Sequence, residues 1–242
     1  MATSTLMSAA PKAVEYPTRD GKPMAETDKH RRLMSYVIDA LTVYLEDRTQ
    51  AYVSGNNFVF WREGDPKARI SPDGYVVFGV PPQARDSYKA WEEGGRLPDV
   101  VFEFTSRKTR REDTDTKLPL YEQTLRTPEY FLFDPTGDYL RPRLQGCRLE
   151  GGRYVRLELV NNRLHSEQLG LDLVQEGETL RLVDPATGET LPTLQEEKWR
   201  LEAERAARLA AEAQAEAERT IRLAADAEIA RLRAEIEALR GQ

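Results

Sequence analysis

Cysteine, histidine and long apolar runs are scarce in this chain. Its single cysteine, Cys147, excludes an internal disulfide framework and a cysteine-rich zinc site. Two histidines, His30 and His165, are too few for a histidine-rich centre. A hydrolytic metal would therefore have to sit on carboxylates. No apolar run approaches the ~18–20 residues that a membrane span needs. Met1–Ala10 carries no basic residue, which makes a poor signal peptide. No membrane partner is expected, and a reducing cytoplasm is the simplest compartment. An excess of positive charge is missing too. The net charge is −6 over 242 residues, which argues against a protein that coats nucleic acid without specificity. It leaves room for a nuclease, because local patches matter more than totals.

What is present divides the chain in three. Residues 1–25 hold Pro11, Pro17, Pro23, Gly21 and many small side chains, and read as a flexible arm with little core of its own. Residues 26–191 alternate helical and extended patterns. From His30 to Leu45 the apolar positions 33, 34, 37, 38, 41, 44 and 45 mark an amphipathic helix. Short runs rich in aromatic and β-branched residues follow at Ala51–Ser54, Phe58–Trp61 and Tyr75–Phe78. Residues 81–97 read as a loop. Val100–Thr105 and Tyr130–Phe133 are apolar on both faces, as buried central strands are. Between them a helix is expected to run to about Leu125. Pro119 fits only its first turn, which puts the start near Thr116. Further short strands follow to about Leu191. The order predicts an α/β fold, a mixed central sheet flanked by helices with extra strands.

Residues 192–242 are different. Beyond Thr193 there is no proline, and the one glycine is penultimate. Ala, Glu, Arg and Leu fill a single long helix of ~70 Å at 1.5 Å per residue. Ile229, Leu232, Ile236 and Leu239 repeat at spacings of 3, 4 and 3, a coiled-coil seam that wants a partner. A homodimer is the expected use of it.

Glu103 is the unusual residue, a carboxylate inside Val-Val-Phe-Glu-Phe-Thr. Such a group must be paired, hydrogen-bonded or metal-bound. Asp99 shares its face but lies ~13 Å along the strand, too far to hold the same ion. Asp73 belongs to another strand, and neighbouring strands lie ~4.8 Å apart, so Asp73 and Glu103 can converge on one cation. Arg107, Lys108, Arg110 and Arg111 leave the same end of the Glu103 strand and suit phosphate contact. Asp113, Lys117 and Tyr121 form an i, i+4, i+8 row. Lys117 can point back at Glu103 and stabilise charge that develops on a phosphate. The plainer reading is an Asp113–Lys117 surface pair worth tenths of a kcal/mol, with Tyr121 as packing.

Pro72-Asp73, Pro98–Ser106, the Asp113/Lys117/Tyr121 row and Thr127–Asp134 together resemble the Uma-type restriction-endonuclease family of bacteria, within the PD-(D/E)XK nuclease superfamily. The likeness is strong over residues 26–134 and weaker to about 190. It implies a restriction-endonuclease-like core and a DNA endonuclease that uses Mg²⁺ or Mn²⁺, with double-stranded DNA as substrate. Asp73 and Glu103 match the metal-binding acids. The lysine usual two residues after the glutamate is Thr105 here, and Lys117 matches a lysine displaced onto the following helix. His30 matches a histidine of the first helix, a supporting or packing residue, and Tyr121 stands as a second supporting residue. Gly74 departs from the usual β-branched residue and is expected to loosen its strand. The alternative reading is a catalytically inactive binding or assembly module built on the same fold.

Overall fold

The structure is a computed structural model. It describes residues 14–18, 28–47, 50–106 and 109–240, in two compact units that divide between Leu191 and Pro192. The elements of the first unit run α1 (Asp28–Tyr44), β1 (Ala51–Ser54), β2 (Val59–Phe60), β3 (Arg69–Ile70), β4 (Gly74–Phe78), β5 (Tyr88–Lys89) and β6 (Val100–Phe104). A helical segment, α2, comes next. It is π-wound over Glu112–Lys117, α-wound over Leu118–Leu120 and π-wound again over Tyr121–Leu125. Strands β7 (Glu129–Phe133), β8 (Leu144–Glu150), β9 (Arg153–Arg156), β10 (Arg163–Ser166), β11 (Leu171–Glu176) and β12 (Thr179–Val183) complete the unit.

Six strands form the central sheet in the order β1-β4-β6-β7-β8-β9. Within this sheet, among the described residues, β6 and β7 alone pair in parallel, joined by α2 as the crossover. All five residues of both strands are buried, because each face of the sheet is covered. On one face α1 and the β10-β11-β12 meander enclose Val76, Phe102, Phe104, Phe131 and Phe133. On the other, Tyr75, Val101, Tyr130 and Leu132 pack with Tyr121 and Leu125 of α2 and with Val59, Ile70 and Tyr88 of the small β3-β2-β5 sheet. The period-two alternation of Val-Val-Phe-Glu-Phe thus divides its side chains between two cores. This is the mixed α/β architecture expected from the element order.

Three local expectations change. The 81–97 stretch contains β5 and a helical turn at Ala90–Glu93. Helical winding starts at Arg110, not near Thr116, so Pro119 sits mid-helix. Wide winding accommodates it. The Leu118 N–H bonds the Asp113 carbonyl five residues back, and the i→i−4 ladder that a proline would break is already replaced there. Gly74 does not loosen β4. It pairs with Phe102 in regular antiparallel register.

The second unit is the helix α3, Leu194–Arg240, 47 residues with none buried. Thr193 and Glu196 cap its start reciprocally, Thr193 N–H to Glu196 Oε2 at 2.7 Å and Glu196 N–H to Thr193 Oγ1 at 3.2 Å, a capping box. Among the described residues no helix is long and apolar enough to cross a membrane.

Candidate active site

Register brings the first two acids together. Gly74 lies opposite Phe102 in the β4–β6 pair, so Asp73, one residue earlier, comes beside Glu103 on the same face. The Phe104 N–H donates to Asp73 Oδ2 at 2.7 Å, which fixes that carboxylate at the strand edge. His30 of α1 places Nε2 3.2 Å from the same oxygen, and its ring meets Phe104 edge-on at 5.9 Å.

Glu103 is wholly buried. Lys117 Nζ donates to its Oε2 at 2.7 Å and the Tyr121 hydroxyl to its Oε1 at 3.1 Å. Lys117 also lies 3.1 Å from Asp113 Oδ1. Asp113 is buried, and neither of its carboxylate oxygens has a hydrogen bond of good geometry. Its own carbonyl accepts the Tyr130 hydroxyl at 3.0 Å, which pins the first turn of α2 to β7. Lys117 thus points back at Glu103, and its pair with Asp113 is buried above the sheet, not on the surface as the plainer reading had it. Its signal was in the sequence. If Lys117 and Tyr121 face Glu103, the residue four positions before Lys117 faces it as well.

Three carboxylates thus surround one ammonium. Burial pushes the Glu103 carboxyl well up, Lys117 pulls it back, and Asp73 and Asp113 push it further up. Burial also raises Asp113, against Lys117. Burial alone would lower the Lys117 ammonium, but Glu103, Asp113 and Asp73 outweigh it and hold the group above its usual value. The cluster has an excess of negative charge and is poised to take up a proton or a cation.

The donor chemistry suits a small, hard divalent cation, since the groups are carboxylate oxygens. Asp113 has oxygens to give, whereas both oxygens of Glu103 are already engaged. Among the described residues no three such side chains are drawn together as a finished ligand shell. Asp73 and Glu103 offer oxygen atoms of the right kind for such an ion, and Lys117 supplies the positive charge beside Glu103 and Asp113.

The other expected residues are less tightly placed. Arg110 and Arg111 are exposed at the start of α2, and Arg110 lies over the Tyr139 ring at 5.9 Å. Arg107 and Lys108 lie outside the described residues. Asp99 is structural, its Oδ2 accepting the Phe78 N–H at 2.7 Å. Two features escaped the sequence reading. Gly55 packs so closely that a Cβ there would lie 2.1 Å from the Asp73 carbonyl oxygen. Glu129 is another buried carboxylate. It accepts from Arg148 Nε at 3.1 Å, the Glu167 N–H at 2.9 Å and the Ser166 hydroxyl. Every one of these donors ties down the β10–β11 turn or β8, so Glu129 is a structural tether.

One solved structure that the chain resembles is described as a putative nuclease belonging to DUF820 from Anabaena variabilis. The two share 15% identity at a TM-score of 0.44, over 63% of this chain and 81% of that one. No curated protein matches. The model of the Uma2 family, described as putative restriction endonuclease, matches residues 5–181, a stretch that carries Asp73, Glu103, Asp113 and Lys117 together. By that match over most of its length, the chain belongs to the Uma2 family.

Proposed function

We propose that this protein is a metal-dependent DNA endonuclease that hydrolyses phosphodiester bonds at the Asp73–Glu103–Lys117 cluster. The observation that carries the reading is the convergence of Asp73 and Glu103 across the β4–β6 register, with Lys117 brought to them by the following helix. Mg²⁺ or Mn²⁺ held by the two acids would supply a polarised phosphate oxygen and a bound water of lowered pKa. Lys117 offsets negative charge that develops at the phosphorus. His30 and the Phe104 N–H orient Asp73, and Tyr121 orients Glu103. Arg110 and Arg111, with Arg107 and Lys108 just before them, hold the nucleic-acid backbone. Two copies paired through α3 would offer two such sites to the two strands of a duplex.

One observation favours the second reading, an inactive module that keeps the fold for binding or assembly. Both oxygens of Glu103 are satisfied from within the protein. Supercoiled plasmid incubated with Mg²⁺ or Mn²⁺ separates the two. The nuclease reading expects nicking by the wild type and none by a folded Glu103→Ala variant. It also expects Mg²⁺ to raise the melting temperature, and Asp73→Asn to abolish that rise. Equal cleavage by Glu103→Ala would refute the assignment of the site. No cleavage and no metal-dependent shift would establish the inactive module.

A further inference from the structure

The orientation of the pairing through α3 is written in its last two heptads. All of α3 is exposed, and a helix in water owes most of its stability to packing an apolar face. Here Ile229, Leu232, Ile236 and Leu239 are all exposed, at 48%, 45%, 51% and 69%. Their 3, 4, 3 spacing keeps them on one stripe and assigns Ile229 and Ile236 to the a positions of a heptad and Leu232 and Leu239 to d. β-Branched a residues with leucine at d are the packing of parallel two-stranded coiled coils. One heptad upstream the a and d positions are Arg222 and Ala225, so the apolar seam is confined to the last two heptads.

The flanking charges point the same way. The assignment puts Glu228 and Glu235 at g and Arg233 and Arg240 at e. In a parallel pair each g residue faces the e residue of the next heptad on the other helix. Glu228 then meets the partner's Arg233, and Glu235 meets the partner's Arg240. In an antiparallel pair g faces g and e faces e, so glutamate would meet glutamate and arginine would meet arginine. Among the described residues, no strong contact ties these side chains elsewhere. The contact of Glu228 with Arg231, at 3.6 Å, is an exposed i, i+3 pair, of a kind that contributes little.

We infer that residues 228–240 of α3 pair with the same residues of a second copy, parallel and in register, as a two-stranded coiled coil. This rests on the homodimer part of the proposed function and adds its copy number, direction and register. Two heptads make a short seam, so the dimer dissociates on dilution, and more readily in high salt, which screens the Glu–Arg contacts.

Sedimentation equilibrium and thiol cross-linking of the full-length protein test it. Cys147 is buried, so an introduced cysteine is the reactive thiol. A reversible monomer–dimer equilibrium is expected. Leu239→Cys should form a disulfide-linked dimer in high yield by itself, because d positions face one another across a parallel seam. The charge-reversed variant Glu228→Lys/Glu235→Lys should dimerise at least tenfold more weakly. In an antiparallel coil the same change merely exchanges one like-charge contact for another and leaves the affinity unaltered. Cross-linking only when Leu239→Cys is mixed with Ile229→Cys would overturn the direction. Trimers or tetramers would overturn the copy number. A dimer of unaltered affinity in Ile236→Asp would overturn the location while leaving the homodimer itself standing. A monomer at every concentration would overturn both.

Discussion

Lys117→Met removes the ammonium from among Glu103, Asp113 and Asp73 and keeps a side chain of similar length. Glu103, with no exposed side-chain surface, then loses its 2.7 Å partner, and Asp113 loses its 3.1 Å one. Removing one member of a buried ion pair costs about 3–5 kcal/mol. Protonation limits that cost. Neutralising a carboxyl whose usual pKa is 4.5 costs about 3 kcal/mol at pH 7 and under about 1 kcal/mol at pH 5, at about 1.36 kcal/mol per pH unit. Burial already raises Glu103 in the wild type, and losing Lys117, which pulls it back, raises it further, so over that added window the folded variant binds a proton that the folded wild type lacks. Stability in that window rises as pH falls. Urea denaturation should show the variant about 3 kcal/mol less stable than wild type at pH 7 and within about 1 kcal/mol of it at pH 5. For the residues of the first unit, the loss at pH 7 corresponds to a melting temperature lower by roughly 6–12 °C. A loss below about 1 kcal/mol at pH 7, or one of equal size at both pH values, would refute the claim that Lys117 compensates a buried charge.

Lys117→Met should also bind Mg²⁺ more tightly than wild type, about tenfold or more by calorimetry, because a cation no longer competes with the ammonium for Glu103; weaker binding would make Lys117 a helper of the cation instead. Gly55→Ala should destabilise the protein by about 1–3 kcal/mol and weaken the Mg²⁺-dependent thermal shift, since the new Cβ displaces the Asp73 main chain. Gly74→Ala is the control. Its Cβ would meet Phe102 and Val37 at ordinary distances of 3.7 and 3.8 Å, so stability should stay level or rise by about 0.5 kcal/mol, with Mg²⁺ binding unaltered. Glu129→Ala should cost about 3 kcal/mol in urea denaturation and leave Mg²⁺ affinity untouched, which would separate the structural carboxylate from the candidate catalytic ones.

The site was legible where chemistry conflicts with local pattern. Glu103 stood out because an acid interrupts a strand that is otherwise apolar on both faces, and it is indeed buried. The Asp113/Lys117/Tyr121 row was visible as spacing, but whether its stripe faced water or the sheet was left open, and the fold turns it to the sheet. Glu129 was hidden because it opens a strand, where an acid is unremarkable. Its burial depends on Arg148 and on the Ser166–Gln168 turn, 19 or more residues away. The place of Pro119 was misread because the rule that bars proline from a helix interior assumes α winding throughout.

Local physics determined the elements that the chain could form. The 3.6-residue periodicity of α1, the apolar cores of β6 and β7, and the alanine- and charge-rich composition of α3 each act within a few turns of backbone, so they are readable without knowing neighbours. In the proposed dimer the heptad charges would likewise carry their own direction, because an in-register parallel seam brings a stretch of sequence against itself. Only the tertiary structure decided what Glu103 is. The strand register that sets Asp73 beside it, the crossover that lays α2 over it, and the two covered faces that exclude water join residues 30, 73, 103, 113 and 117. An ionised carboxylate in water is ordinary. The same group without water takes its charge state and its affinity for cations from whatever the fold has packed against it.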